Sequence, residues 1–576
     1  MSQVIIVSNR LPVSVKKDDG KLVYYPSLGG LATGLSSYAN NAANQWIGWP
    51  GIANEELTED DKQAIVAELS KHNCTPIFLS EKQIDEFYNG YSNSVLWPAF
   101  HELPAKKKPD PTWWRAYRSV NQAFAESVLN IAETGSRIWV HDYQLLLVPE
   151  MLREVRGDLI TGFFLHIPFG RPKNMSKLPE YKKLVQGVLG ADVIGFHTTE
   201  YVKNFVDLTT QIGVSKITEN ELVMPGHTVR VGNFPMGIDY QKFSGANRSK
   251  TVRKAVKKYR KRYRGLKIIV AVDRLDPTKG LVERLQAYRN FLYLQPKMRG
   301  KVVLSMVAAP SRTEVVAYQN LTKRIQKLVT EINAEYGTTR WQPIDYMNVS
   351  LPFEEVTALF QIADVAFIAP IRDGMNLAAK EFIASNRKNG VLILSETAGA
   401  AQELSDAIIV NPRRPQDLVD AIDEALKMQK RELRGRLKRM QLSLSKHTVQ
   451  DWAQGFIETL QQPVPGTPTI TRTLNAKLQN VLLEDYKLSN RRLIFIDYDG
   501  TVVPFTKNYK DAEPPKEVIN VLRKLGANKR NAVVVISGRS PEDLQKWFGD
   551  LPLNLVAEHG AAIRKNGNKR WQTIER

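Results

Sequence analysis

Residues Ala271–Gly280 read AVDRLDPTKG. They close a β-branched run, Lys267–Val272, that reads as a buried strand. Arg274 and Lys279 follow it five residues apart, and Gly280 opens a helical pattern. A helix N-terminus carries partial positive charge and unpaired N–H groups. A strand end, two cations and a helix end thus converge on one point, which suits a diphosphate. No GxxxxGK[ST] occurs here, so this is not a P-loop, and the lack of GxGxxG disfavours a nicotinamide site.

The same alternation extends in both directions. Val4–Val7, Arg137–Val140, Leu159–Leu165, Val193–Phe196, Val302–Val307, Val365–Ala369, Val391–Leu394 and Ile408–Val410 read as strands. Amphipathic stretches such as Thr112–Glu133 and Val315–Glu335 lie between them. This pattern predicts α/β domains with doubly wound parallel sheets, whose ligands sit beyond the strands' carboxyl ends. Two breaks divide the chain: Met236–Ser249 with the basic stretch after it, and Gln461–Thr471, QQPVPGTPTIT. The expected domains are 1–240, 241–463, with a last helix able to cross back to the first, a linker at 464–485, and 486–576.

Composition narrows the class. At 576 residues the chain is too long for one core. A single cysteine, Cys74, leaves neither a disulfide framework nor a cysteine zinc site. No opening basic and apolar segment reads as a secretory signal, and no apolar run is long enough to span a membrane. The expected location is cytoplasmic, without a membrane partner. Eighty Lys and Arg against sixty Asp and Glu give a net charge of +20, which suits polyanions. Ten of those cations lie between Arg248 and Arg264, where a solvated helix face is the simpler reading than nucleic-acid binding.

Other strand ends carry chemistry too. Val4–Val7 runs into Ser8-Asn9-Arg10, a cation placed to meet an anion. Gly29 and Gly30 let backbone N–H groups approach a phosphate at a helix start. Tyr88 and Trp97, in FYNGYSNSVLWPAFH, are core aromatics or sugar-site walls. IWVHDY ends in Asp142, able to hold sugar hydroxyls, and FFLHIP places His166 at a strand end. AAPSR brings Arg312 to another strand end. FIAPIRDGMNLAAKE reads as strand, turn and helix, with Asp373 in the turn and Glu381 two helical turns on, suited to a ribose diol.

The ordered motifs SNR, LGG, YxxxSNxxLWPxFH, VHDYQLL, FFLHIPF, RLDPTKG, APSR and RDGMNLxAKE closely resemble the trehalose-6-phosphate synthases, retaining glycosyltransferases of GT-B architecture, over residues 3 to 463. The resemblance implies two Rossmann-like domains facing a cleft. It implies that Arg10, Tyr88 and Arg312 bind the phosphate of glucose 6-phosphate, with Trp97 and Asp142 against its sugar. Gly29 and Gly30 would touch the donor diphosphate, and Arg274 and Lys279 would grip it. Asp373 and the backbone of Gly374, Met375, Asn376 and Leu377 would hold the donor glucose, Glu381 the ribose, and His166 would lie near the reacting sugars. At Leu351 the uracil would be read mainly by backbone. Gly170-Arg171 departs from the family, which usually has another proline there. The implied reaction moves glucose from UDP-glucose to glucose 6-phosphate, with no cofactor and no metal. A different phosphorylated acceptor such as glycerol 3-phosphate, a non-catalytic regulatory subunit, and a homo-oligomer stay open.

Phe495–Thr501, FIDYDGT, resembles the trehalose-phosphatase branch of the haloacid-dehalogenase (HAD) phosphatases. There Asp497 would attack phosphorus, Asp499 would serve as acid and base, and Ser537 would bind phosphate. The branch's later lysine and metal-binding acids find no match before Arg576. The expectation is therefore an incomplete HAD-like α/β domain without phosphatase activity, in which Mg would matter only if the domain were complete.

Overall fold

The β-branched runs pair side by side as parallel strands because both faces of each are covered by helices. The structure is a computed structural model and describes residues 3–27, 35, 44–104, 110–312, 315–462, 476–504 and 512–573, to which all counts and absences refer. The chain divides into two compact units, Met1–Arg472 and Thr473–Arg576.

In the first unit β1 (Val4–Arg10) is followed by a hairpin, β2 (Val13–Asp18) and β3 (Lys21–Pro26). Next come β4 (Gln45–Trp49), β5 (Cys74–Pro76), β6 (Arg137–His141), β7 (Ile160–Phe164), β8 (Val193–Phe196), β9 (Ser215–Thr218), β10 (Glu221–Met224) and β11 (His227–Asn233). The sheet order is β5-β4-β1-β6-β7-β8-β11-β10-β9, and every pair from β5 to β11 is parallel. The order reverses between β1 and β6, so the loops holding Arg10 and Asp142 leave from neighbouring strand ends.

A second sheet follows: β12 (Lys267–Arg274), β13 (Val302–Ala309), β14 (Ile344–Met347), β15 (Val365–Ile368), β16 (Val391–Ser395) and β17 (Ile408–Val410). Its order, β14-β13-β12-β15-β16-β17, is the doubly wound 3-2-1-4-5-6 pattern. Here the switch point lies between β12 and β15, whose loops carry Lys279 and Asp373. The helix Val449–Gln461 returns to the first sheet, where Phe456 stacks on Trp139 at 4.7 Å. Trp452 and Phe456 belong to the same buried cluster as Val4, Ile6 and Phe164. Burying such a side chain contributes roughly 1.5–3 kcal/mol. This helix is therefore a fixed strap across the back of the first sheet. The basic stretch forms the helix Lys250–Arg262, which buries Val252, Ala255 and Tyr259 and leaves most of its cations exposed.

In the second unit the helix Ala476–Leu488 occupies much of the stretch read as linker. β18 (Arg492–Asp497), β19 (Asn531–Ile536), β20 (Asn554–Ala557), β21 (Ala562–Arg564) and β22 (Gln572–Thr573) form a sheet in chain order. Its core includes Tyr498, Val533, Val535, Leu544, Phe548 and Leu555. No helix among the described residues is long and apolar enough to cross a membrane.

Candidate active site

The loop after β12 is built to present Lys279. Asp276 is completely buried, and its Oδ1 accepts from the N–H and hydroxyl of Thr278, both at 2.9 Å. Gly280 then sits at φ 63°, and a Cβ there would collide with the Ala369 carbonyl, so glycine is required. Arg284, fully buried, ties the loop to the sheet: it donates to Asp273 at 2.6 Å, to the Phe367 carbonyl at 2.6 Å and to the Lys279 carbonyl at 3.0 Å. Lys279 forms an ion pair with Asp373, and each side chain is 13% exposed.

Asp373 is held from several sides. Its N–H donates to the Thr397 carbonyl at 3.1 Å, its carbonyl accepts from the Tyr201 hydroxyl at 3.2 Å, and Asn376 Nδ2 donates to its carboxylate at 3.1 Å. Burial alone would raise this carboxyl, but Lys279, His101 and Asn376 hold it below its ordinary value. Asn376 lies at φ 71° and caps the helix Leu377–Ser385 through Ala379 N–H. Met375 is buried, and Leu377 is half-buried. Gly374 packs so tightly under the His166 carbonyl that a Cβ would overlap it. The two lobes therefore meet backbone to backbone beside Asp373. Glu381 lies one helical turn from Leu377, half-buried, and burial pushes its carboxyl up to about 7 against the pull of Lys242. Leu351 packs half-buried against the second lobe's core.

The first lobe faces this with cations around a phenol. Tyr88 comes from Ile84–Leu96, a thirteen-residue π-helix. Such windings are rare and gather at functional sites. Burial works to raise the Tyr88 hydroxyl, yet Arg312, Arg10 and Arg274 together hold it below its ordinary value. The Arg10 guanidinium lies 4.4 Å over Trp49, and Trp49 meets Tyr88 edge to face at 6.2 Å. Arg312, at φ 47°, donates to Asp276 at 3.3 Å and to the Tyr143 hydroxyl at 3.2 Å, and it also bonds the Tyr318 hydroxyl. Burial would raise the Asp276 carboxyl, but Arg312 and Arg274 bring it down to about 2.

Trp97 is 6% exposed and has both faces occupied, by Arg312 at 3.9 Å and by His101 at 4.1 Å. It forms a buried platform under the arginines. Arg274 lies 5.8 Å over the same ring. Asp142, at φ 73°, accepts the His166 N–H at 3.3 Å, and burial raises its carboxyl to about 6. Gly29 and Gly30 lie outside the described residues.

The sequence reading missed His101, Tyr143, Tyr318, Arg284 and Asp276 as parts of this site. Asp276 stood in plain view inside RLDPTKG, and its capping spacing to Thr278 was the available signal. The departing Arg171 turns out to hold Glu102, at 3.0 and 2.8 Å, while Glu102 and Glu200 both pair with Arg372 across the lobes at 3.1 and 3.2 Å.

In the second unit Asp497 ends β18 and accepts from the Thr501 hydroxyl at 3.1 Å. Arg539 clamps Asp499 through Nε at 3.1 Å and Nη2 at 2.6 Å, and Ser537 Oγ donates to Asp499 at 3.3 Å. No group of three His, Cys, Asp or Glu that could hold a metal gathers among the described residues.

Comparison with known proteins agrees with this geometry. The model of glycosyltransferase family 20 matches residues 2–462, and that of trehalose-phosphatase matches 495–576. The alpha,alpha-trehalose-phosphate synthase [UDP-forming] A of Dictyostelium discoideum is 38% identical over 573 residues, covering 99% of this chain and 77% of that protein. A solved structure from E. coli bound with UDP-2-fluoro glucose has 32% identity and a TM-score of 0.72, covering 81% of this chain and all of that one. A Burkholderia xenovorans alpha,alpha-trehalose-phosphate synthase (UDP-forming) in complex with glucose-6-phosphate has 31% identity and a TM-score of 0.71, covering 80% and 100%. With two doubly wound sheets meeting at Gly374 and their switch-point loops sharing one cleft, the fold is GT-B, and the chain belongs to glycosyltransferase family 20.

Proposed function

We propose that the first unit moves glucose, with retention, from UDP-glucose to glucose 6-phosphate, giving α,α-trehalose 6-phosphate and UDP. The observation that carries this is the pairing of Lys279 with Asp373 beside a cluster of Arg10, Tyr88 and Arg312, joined to it through Arg274 and the Arg312–Asp276 pair. Two adjoining clusters of positive charge suit a nucleotide sugar and a phosphorylated acceptor held side by side. The ligands held by the E. coli and Burkholderia xenovorans structures support the same assignment.

In the reaction the anomeric C–O bond to UDP breaks as negative charge grows on the departing phosphate. Lys279, Arg274 and the N–H groups of the helix Leu281–Leu294 meet that charge. Binding of the diphosphate draws Lys279 from Asp373, whose carboxylate is then free to hold hydroxyls of the transferred glucose. Attack comes from the face the phosphate leaves, and the phosphate oxygen takes the acceptor proton. Side chains supply the positive charge in this scheme, without a metal. The intact Lys279–Asp373 pair and the arginine set speak against a subunit that has lost turnover.

For the second unit we propose no phosphatase turnover, because Arg539 and Ser537, which would meet a phosphate, are both engaged with Asp499, at 2.6 and 3.3 Å. UDP release measured across donor nucleotides and phosphorylated acceptors, with and without EDTA, tests the transferase reading. The rate should be highest with UDP-glucose plus glucose 6-phosphate and insensitive to EDTA. Preference for glycerol 3-phosphate would refute the acceptor assignment. Phosphate release from trehalose 6-phosphate would refute the second.

A further inference from the structure

Three imidazoles stand in a row at the end of the first sheet. His141 ends β6, His166 follows β7 by two residues, and His197 follows β8 directly. The register sets His141 level with Phe164 and Gly195, two residues before His166 and His197, and the ring centroids are 5.3 Å apart for His141 and His166 and 5.5 Å for His166 and His197. Phe164 and Trp452 pack around them, at 4.8 and 5.9 Å from His166. His141 and His197 are buried, whereas His166 is only partly so.

The contact between His141 Nδ1 and His166 Nε2, 3.0 Å, holds a single hydrogen. A neutral imidazole has one N–H and one bare nitrogen. If His166 gave the hydrogen, His141 would carry its own on Nε2. That atom is buried with no partner, so an N–H there would be orphaned. Buried orphan donors are rarer than buried lone pairs. If His141 gives the hydrogen, only a lone pair is left at its Nε2. Burial disfavours charge on all three rings, so a cationic form does not intervene. His197 Nδ1 is likewise buried without a partner, which again places a lone pair there.

We propose that His141 is a positioning residue that fixes His166 as its Nδ1–H tautomer, so that the cleft meets a hydrogen-bond donor at this ring. Among the described residues His166 Nδ1 has no hydrogen-bond partner, and the residue is partly exposed, which leaves this nitrogen open to a ligand. The His166 carbonyl lies against Gly374, next to Asp373, so the residue stands at the part of the cleft where the proposed reaction puts the donor sugar. The ligand it takes is an oxygen lone pair, as on a sugar hydroxyl. This inference rests on the proposed transfer reaction only for the identity of that hydroxyl.

The test has two arms on the full chain. In 15N-histidine-labelled protein, with His166 assigned by the signals missing in His166→Asn, long-range 1H–15N correlation should show His166 protonated at Nδ1 near neutral pH. Protonation at Nε2, or a cationic pattern, would overturn the proposal whatever the substrates are. In the second arm, His141→Leu should release the tautomer and lower kcat by about tenfold or more. His141→Gln, whose amide can still donate, should recover most of that loss and keep the Nδ1–H pattern. Equal losses in the two variants, with His166 unchanged by NMR, would leave His141 a packing residue and overturn the proposal. If His141→Leu does not fold, the wild-type spectrum and His141→Gln decide the matter alone.

Discussion

Replacing Lys279 with alanine should separate stability from catalysis. Lys279 and Asp373 are each 13% exposed, so the pair is largely withdrawn from water. Removing one member of a buried pair leaves an uncompensated charge, at a cost of about 3–5 kcal/mol. Removing one donor to a departing oxyanion costs ~2.7–4 kcal/mol, a rate loss of about 10²–10³. Lys279→Ala should show both losses, the first in chemical denaturation and the second in steady-state UDP release. Lys279→Ala with Asp373→Asn should regain most of the stability, because no unpaired carboxylate remains, but none of the rate. The pH dependence supplies a sign. In the wild type the lowered Asp373 carboxyl adds stability above its ordinary value of 3.8, and that contribution is lost as pH falls through the folded value. Without Lys279 burial dominates and raises the carboxyl, so stability should instead decline as pH climbs above 3.8. Turnover within tenfold of wild type, or a double variant no more stable than the single one, would refute the reasoning.

Three further outcomes follow from the geometry. Arg312→Lys keeps a charge for Asp276 but loses the planar fork, so KM for glucose 6-phosphate should rise about tenfold while KM for UDP-glucose hardly moves; an equal rise in both would place Arg312 elsewhere in the reaction. Gly374→Ala forces a Cβ into the His166 carbonyl, and the ~1–3 kcal/mol typical of overpacking should lower kcat/KM by at least about fivefold; a normal kcat/KM would mean the lobes do not close this tightly. Burial raises Glu381 from 4.5 to about 7, so the folded state holds a proton that the unfolded state has lost between those values, and stability falls as pH rises through that window. Glu381→Gln should flatten the thermal midpoint over that range, and an unchanged profile would refute the assignment.

Much of the architecture was legible because its signals are local. Short β-branched runs alternating with amphipathic stretches dictate parallel sheets, and the strand-end arginines mark the face where ligands sit. Lys279 and Asp373 could be named individually because each sits in a turn directly after a strand. Their direct pairing was not legible, since the two residues lie 94 apart in sequence and meet only because β12 and β15 are neighbours. The π-helical winding of Ile84–Leu96 leaves no sequence pattern distinct from an amphipathic α-helix, so the aim of Tyr88 was hidden too. Trp97 reads as core aromatic or sugar-site wall, because aromatic composition does not tell which face is open. Arg312 and His101 occupy both faces. Arg171 shows in the sequence only as a departure from the family pattern; in the structure Glu102 holds it, and Glu102 in turn bridges to Arg372 on the other lobe.

The central claim is that one cleft holds two anions in adjoining clusters of positive charge. The most direct measurement is a crystal structure of the chain soaked with UDP and glucose 6-phosphate together. The account predicts the nucleotide's terminal phosphate within hydrogen-bond reach of Lys279 and Arg274, Asp373 released from Lys279, and the sugar phosphate among Arg10, Tyr88 and Arg312. A terminal phosphate bound away from Lys279, or a sugar phosphate outside the arginine cluster, would contradict it.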